Sequence, residues 1–362
     1  MTLESTRTDL AELERPALEA WLEARGVESF RARQIFRWIY RHGVSDIDAM
    51  TDLSRGLRVA LSAELTLSTP ALVRRERSSD GTEKLLLRLS DGREIESVFI
   101  PDTPAMTFCV STQVGCAMAC AFCLTGKMGL ARNLTAGEIV GQVRVLADAQ
   151  GLRGKRFNIV LMGMGEPLHN YDDTMKALRI LADEQGLQVS PRRVTLSTVG
   201  LLPALDRLAK EPLMPNLAIS LHAPTDRTRG ELVPINKKYG VADIVAACRR
   251  FPVKKRSRIT FEYVLLAGVN DSPDDARTLA RLMSGLKAKV NVIPLNAAPG
   301  IPFERPSEET IDRFARILAD HQILVSVRKS RGRDIRAACG QLIVEGQNRS
   351  PAQRVATLAF GD

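Results

Sequence analysis

The chain has 362 residues, 44% of them hydrophobic and 26% charged, which suits one large domain with one or two small appendages. No apolar run reaches membrane-spanning length, no secretory segment opens the chain, and six cysteines in so long a sequence do not suggest a disulfide framework; a reducing cytoplasm is expected. The formal net charge of +9 points to a polyanionic partner.

Residues 1–66 read as a helical accessory module. RPALEAWLEARG and SFRARQIFRWIYRHG space their apolar residues as a helix does, and each ends in Gly, a usual stop. The second interleaves Phe30, Phe36, Trp38 and Tyr40 with Arg31, Arg33, Arg37 and Arg41, so an aromatic face should pack while some arginines are free for RNA. Over 67–101 the period changes to alternation around two Asp-Gly pairs, which predicts a strand meander.

From 102 to 340 strands alternate with helices. Strands are expected in MTFCVS, FNIVLMG, RRVTLST, NLAISLH, RITFEYVLL, KVNVIPLN and ILVSVRKS. Helices should start near Thr135, Tyr171, Gly200, Gly240, Ser272 and Ser307, with Thr135 and Glu138 as a capping box. Such alternation means parallel strands with crossover helices, an α/β protein whose functional residues gather at strand C-terminal ends. Residues 341–362 remain as a tail. Three basic runs stand out at 74–77, 249–258 and 327–336. One such run is as readily a solvated surface; three in a basic chain favour nucleic acid, with Arg249, Arg250, Lys254, Lys255, Arg256 and Arg258 as candidate phosphate contacts.

STQVGCAMACAFCLTGKMG, at 111–129, sets Cys116, Cys120 and Cys123 in a C-x3-C-x2-C pattern directly after a strand. Structural zinc wants four ligands, but the next His is His169, and Cys109 falls within the strand. A four-iron cluster takes cysteine thiolates at its corners, and three of them leave one iron open. The pattern resembles that of the radical S-adenosylmethionine (SAM) superfamily, in which the open iron binds the amine and carboxylate of SAM. The resemblance implies a partial (β/α)6 TIM-like barrel holding a [4Fe-4S] cluster and SAM. Segments at later strand ends resemble the superfamily's SAM contacts: GMGEP nominates Gly165 and Glu166, STVG nominates Ser197, SLHAP nominates Ser220, Leu221 and His222, and PLN nominates Asn296.

Cys109 in TFCVSTQVGC and Cys339 in RGRDIRAACGQL, with RNLTAGEI, SLHAP, PINKKY and VRKSRGRDI, resemble the adenine RNA methyltransferases of the RlmN/Cfr type over residues 20 to 342. Carbon 2 of adenine is electron-poor, so it cannot attack an electrophilic methyl directly. The resemblance implies that Cys339 takes a methyl from one SAM as S-methylcysteine, and that a second SAM yields a 5′-deoxyadenosyl radical that activates this methyl for addition to the base. It further implies Glu96 as proton acceptor and Cys109 as resolving thiol, leaving a transient disulfide with Cys339. Cys248 has no motif partner and is expected to be structural. The implied substrates are adenines of 23S rRNA at the peptidyl-transferase centre and of tRNA just 3′ of the anticodon, both in loops. A flavodoxin- or ferredoxin-type electron donor and a monomer are expected. Three rivals stay open: the carbon-8 branch of the same family, a non-catalytic RNA-binding protein stapled by zinc, and a radical SAM enzyme acting on a protein or small molecule. RNLTAGEIVGQV and the helical start favour the carbon-2 branch.

Overall fold

The computed structural model describes residues 7–101 and 105–344; the expected tail beyond Val344 lies outside these residues. The accessory module opens with a short strand, β1 (Thr8–Asp9), paired in parallel with β2 (Leu65–Thr66). Between them lie helices α1 (Arg15–Glu23), α2 (Phe30–Phe36), which runs on through a wider turn to His42, and α3 (Arg55–Glu64). Gly26 and Gly43 take positive φ of 71° and 77° past the helix ends, the conformation that stops a helix most cheaply at Gly. Of the four aromatics only Phe36 and Tyr40 are fully buried, whereas Phe30 is exposed. Arg37 and Arg41 are engaged, donating to Gln185 Oε1 and to the Glu184 carbonyl of the barrel.

The meander forms β3 (Ala71–Arg77), β4 (Glu83–Arg88) and β5 (Glu94–Ile100), with Gly81 and Gly92 at φ 83° and 81° in the two Asp-Gly turns. It continues the main sheet, because β5 pairs antiparallel with the first barrel strand, β6 (Thr107–Cys109), and covers an edge that would otherwise be open. Beyond β6 the chain makes a small antiparallel ribbon of β7 (Gln113–Gly115) and β8 (Leu130–Asn133) around helix α4 (Leu124–Met128). It then enters α5 (Ala136–Ala149), whose Thr135–Glu138 capping box is formed.

Five further strand–helix units follow: β9 (Asn158–Leu161) with α6 (Tyr171–Ala182), β10 (Val194–Thr198) with α7 (Leu202–Leu208), and β11 (Asn216–Ser220) with α8 (Asp226–Leu232) and α9 (Val241–Arg250). After them come β12 (Ile259–Leu265) with α10 (Pro273–Met283), β13 (Ala288–Pro294) with α11 (Glu308–Asp320), and a closing short strand β14 (Val325–Val327). The order β14-β13-β12-β11-β10-β9-β6 is parallel throughout, giving the expected partial barrel of six βα units with a seventh strand at its edge. Among the described residues no helix is long and apolar enough to cross a membrane.

The RNLTAGEIVGQV segment has a packing reason. A side chain on Gly137 would lie 2.5 Å from Glu12 Oε1, and one on Gly141 would lie 2.5 Å from Pro70 Cδ. The bare face of α5 is therefore where the accessory module closes on the barrel, and Glu12 Oε1 accepts the Gly137 amide at 3.0 Å.

Candidate active site

The three clustered cysteines occupy the loop between β7 and α4. Gly115 precedes Cys116 with φ 79°, and a Cβ there would sit 1.8 Å from the Gly129 carbonyl oxygen, so the ribbon closes only on glycine. The Cys116 amide donates to that carbonyl at 3.0 Å, the Cys123 amide donates to the Cys120 carbonyl at 3.1 Å, and Cys123 stands at the N-cap of α4. All three thiols are free, and burial pushes each above its ordinary range.

They line one cavity of ≈ 150 Å³ at the C-terminal ends of the strands, together with Gly165, Glu166, Ser197, Ser220, His222, Asn296 and Cys339. Leu221 is the exception among the nominated SAM contacts. Its side chain is fully buried in the core, and its carbonyl accepts from Arg229 Nε at 3.0 Å.

Glu166 holds the mouth in shape. Its carboxylate accepts the Leu168 amide at 3.0 Å and the Val199 amide at 2.9 Å, joining the β9 and β10 ends, while burial raises it to about 7. Its own amide donates to Gln113 Oε1, and Gly165 beside it, at φ 105°, has no room for a Cβ, which would meet Gln113 Cβ at 2.6 Å. His222 also has a positive φ, 62°. Its Nδ1 accepts the Val264 amide at 3.1 Å, so Nε2 carries the proton, and burial lowers the ring to about 3. Arg229, wholly buried, ties β10 to β11 through the Val199 and Leu221 carbonyls.

Cys339 borders two cavities. One is the cluster cavity; the other, behind it, is also lined by Cys109, Asn296 and Arg328. Burial, then the neighbouring Cys339, push the Cys109 thiol up to about 12, with Arg328 opposing. The terminal segment is stapled to the cluster loop: Leu124 N donates to the Gly340 carbonyl at 2.8 Å, and Thr125 Oγ1 to the Leu342 carbonyl at 2.7 Å.

Two residues missed in the sequence face this site. Arg328 follows β14 and borders both cavities beside Cys339. Proximity to Cys339, with Glu262 and Cys109 adding and burial opposing, raises the guanidinium above its usual range. Glu262, on β12, lines the cluster cavity and accepts from Asn291 Nδ2 at 2.7 Å. The available signals were an Arg at a strand C-terminal end, submerged in a basic run, and one acidic residue in the otherwise apolar ITFEYVL.

Glu96 is placed elsewhere. It lines a third cavity with Arg74, Glu76, Lys84 and Arg336, not the cluster cavity. Lys84 Nζ lies 3.0 Å from one carboxylate oxygen, and the Ile343 amide donates to the other at 2.9 Å. Burial raises this carboxyl, and Lys84 reverses only part of the rise. The segment from Cys339 to Ile343 thus spans from the cluster side to Glu96.

This site fits an iron–sulfur cluster and SAM. It offers three free thiols, one buried and two half-buried, a bare Gly165 backbone and a buried Asn296 Oδ1 with no hydrogen-bond partner among the described residues.

Comparison with known proteins agrees. Residues 110–280 match the Radical SAM superfamily, and residues 8–67 match the ribosomal RNA large subunit methyltransferase N-terminal domain. The dual-specificity RNA methyltransferase RlmN of Syntrophobacter fumaroxidans is 48% identical over 91% of this chain and 96% of its own. That of Syntrophotalea carbinolica is 51% identical over 97% and 93%. The crystal structure of a radical SAM methyltransferase from Sphaerobacter thermophilus superimposes with a TM-score of 0.88 at 51% identity, covering 92% of this chain and 99% of that one. Relatives this similar over nearly their full length leave no room for a zinc-stapled binding module, and the chain belongs to the RlmN family of dual-specificity radical SAM RNA methyltransferases.

Proposed function

We propose that this enzyme methylates carbon 2 of adenine in RNA, in 23S rRNA at the peptidyl-transferase centre and in tRNA 3′ of the anticodon. The observation that carries it is the position of Cys339, between the cluster cavity and Cys109. When bound, the [4Fe-4S] cluster, held by Cys116, Cys120 and Cys123, and SAM supply a methyl group and a hydrogen-abstracting radical. Gly165, Glu166, Ser197, Ser220, His222 and Asn296 form the SAM cradle, and Leu221, from the core, fixes the backbone between Ser220 and His222. The chain's own residues do the rest. Cys339 carries the methyl carbon to the base. Glu96, whose carboxyl burial has made more basic, accepts the ring proton. Cys109 then attacks the Cys339 sulfur: a disulfide forms, the bond from that sulfur to carbon breaks, and the carbon takes up a proton to become methyl. Reduction by a cytoplasmic thiol resets both cysteines. A flavodoxin- or ferredoxin-type donor and a monomeric enzyme complete this reading.

The test is a denaturing gel of variants given SAM, reductant and RNA, with mass spectrometry of the Cys339 peptide. Cys339→Ala should form neither S-methylcysteine nor an RNA adduct, whereas Cys109→Ala should accumulate a covalent protein–RNA species. Normal turnover by Cys109→Ala would sink the assignment. Digestion of wild-type product should give 2-methyladenosine; 8-methyladenosine would place the enzyme in the carbon-8 branch.

A further inference from the structure

The fold separates the basic runs. The 327–336 run begins at the strand C-terminal ends, beside Cys339, but the 249–258 run leads into the N-terminal end of β12. β12 has 7 residues, so about 20 Å of strand separates that run from the catalytic mouth.

The whole base of the barrel is basic. The six loops that run from a helix into a strand there (150–157, 183–193, 209–215, 251–258, 284–287 and 321–324) hold eleven Lys and Arg against three Asp and Glu. That surplus of eight compares with +9 for the entire chain. Two adjoining hollows lie among these loops. Arg192, Lys254 and Arg258 line one of them. Lys155, Arg156 and Arg193 line the other, of ≈ 650 Å³, where the accessory module adds Arg41. Neither hollow has a carboxylate in its lining. Arg41 and Arg193 donate to neutral oxygens, the Glu184 carbonyl and Asn158 Oδ1, and among the described residues no carboxylate pairs with any of these seven cations.

Surface cations left without counter-charges over four separate segments repel one another, and a polyanion relieves that repulsion while releasing counterions. We infer that the basal hollows hold the phosphate backbone of an RNA segment remote from the reacting adenine, so that a long RNA is gripped at both ends of the barrel. The inference rests on RNA being the substrate, and it adds a second contact face on the side opposite the chemistry. It predicts that substrate length matters: a short hairpin reaches only the mouth, whereas a full-length RNA also reaches the base.

The test uses the intact enzyme carrying Lys254→Gln, Lys255→Gln, Arg256→Gln and Arg258→Gln together, and separately Lys155→Gln with Arg156→Gln. Substrates are a full-length tRNA transcript and its isolated anticodon hairpin. For the full-length RNA, KM should rise about tenfold at physiological salt, and the slope of log affinity against log salt should fall by about 3 in the fourfold variant. Hairpin methylation and S-methylation of Cys339 should not change. Equal losses on hairpin and full-length RNA, or an unaltered salt slope, would overturn the inference. So would intact RNA affinity combined with slower turnover from a protein reductant but not from dithionite, since the surface would then serve an acidic protein. A wild-type enzyme that fails to make 2-methyladenosine in the hairpin counts against the proposed function alone, because the salt slope on full-length RNA is measured without turnover.

Discussion

Arg328 is the residue whose chemistry most changes the picture of the site, since it sets a fixed positive charge beside Cys339, the proposed methyl carrier. A fixed charge a few ångströms from a sulfur anion is worth about 1–4 kcal/mol, which corresponds to roughly tenfold or more in rate. Arg328→Gln should therefore slow S-methylation of Cys339 about tenfold, while Arg328→Lys keeps part of the effect. The time course of the methylated Cys339 peptide with SAM checks this directly, and identical time courses for wild type and Arg328→Gln would remove Arg328 from the mechanism.

The segment that carries Cys339 has few contacts of its own regular structure, and the meander holds it in place. Asp80, in the first Asp-Gly turn, accepts the Gly332 amide at 2.9 Å, and Asp334 in return accepts Ser78 Oγ at 2.6 Å and the Ser79 amide at 3.2 Å. Burial alone would raise the Asp80 carboxyl, but hydrogen bonds from Thr82, Gly332 and Ser78 outweigh it and hold it at about 2. A carboxyl depressed in the folded state stabilises the fold above its ordinary pKa of about 4, and that contribution is lost as pH falls toward 2. Because the group is partly exposed, we expect Asp80→Asn to cost only about 1 kcal/mol near neutral pH, with the difference from wild type vanishing in acid. Denaturant unfolding at pH 7 and pH 3 measures it, and about half of the difference should be gone at pH 3. A difference as large at pH 3 as at pH 7 would mean that the turn, not the charge, supplies the stability. The same substitution should raise the proteolytic sensitivity of the 330–344 segment.

For the molecule as a whole, the accessory module and the barrel meet on a helix face that has no side chains to spare. Gly137→Val puts methyl groups where Glu12 and Ala11 now stand, an overpacking that costs about 1–3 kcal/mol. The cluster cavity lies at the strand ends, built from none of the accessory residues. Gly137→Val should thus loosen residues 8–67 toward protease and raise KM for RNA several-fold. Slow 5′-deoxyadenosine formation in the absence of RNA should continue at the wild-type rate. If that RNA-independent cleavage falls as far as methylation does, the two parts are not separable.

What the sequence by itself determined is what depends on neighbours along the chain. The three cysteines belong to one loop, so their spacing already brings three thiols together as a candidate ligand set. The two Asp-Gly turns, the Thr135–Glu138 cap and the alternation of strand and helix are likewise local, and they place Ser197, Ser220 and Asn296 at strand ends whose mouth any parallel barrel shares. Only the tertiary structure decided the rest. Residues as distant as Cys109, Arg328 and Cys339 meet because the sheet curls and the terminal segment folds back over it, which no periodicity encodes. Glu96 reads in sequence as an ordinary strand carboxylate, and only the strand register shows that it is buried against Lys84 and the Ile343 amide, at the far end of the segment that carries Cys339. The basic runs read alike in sequence, but strand direction sends one to the catalytic mouth and another to the base, because a parallel strand has two chemically different ends and charge along the chain carries no sign of which end it will reach.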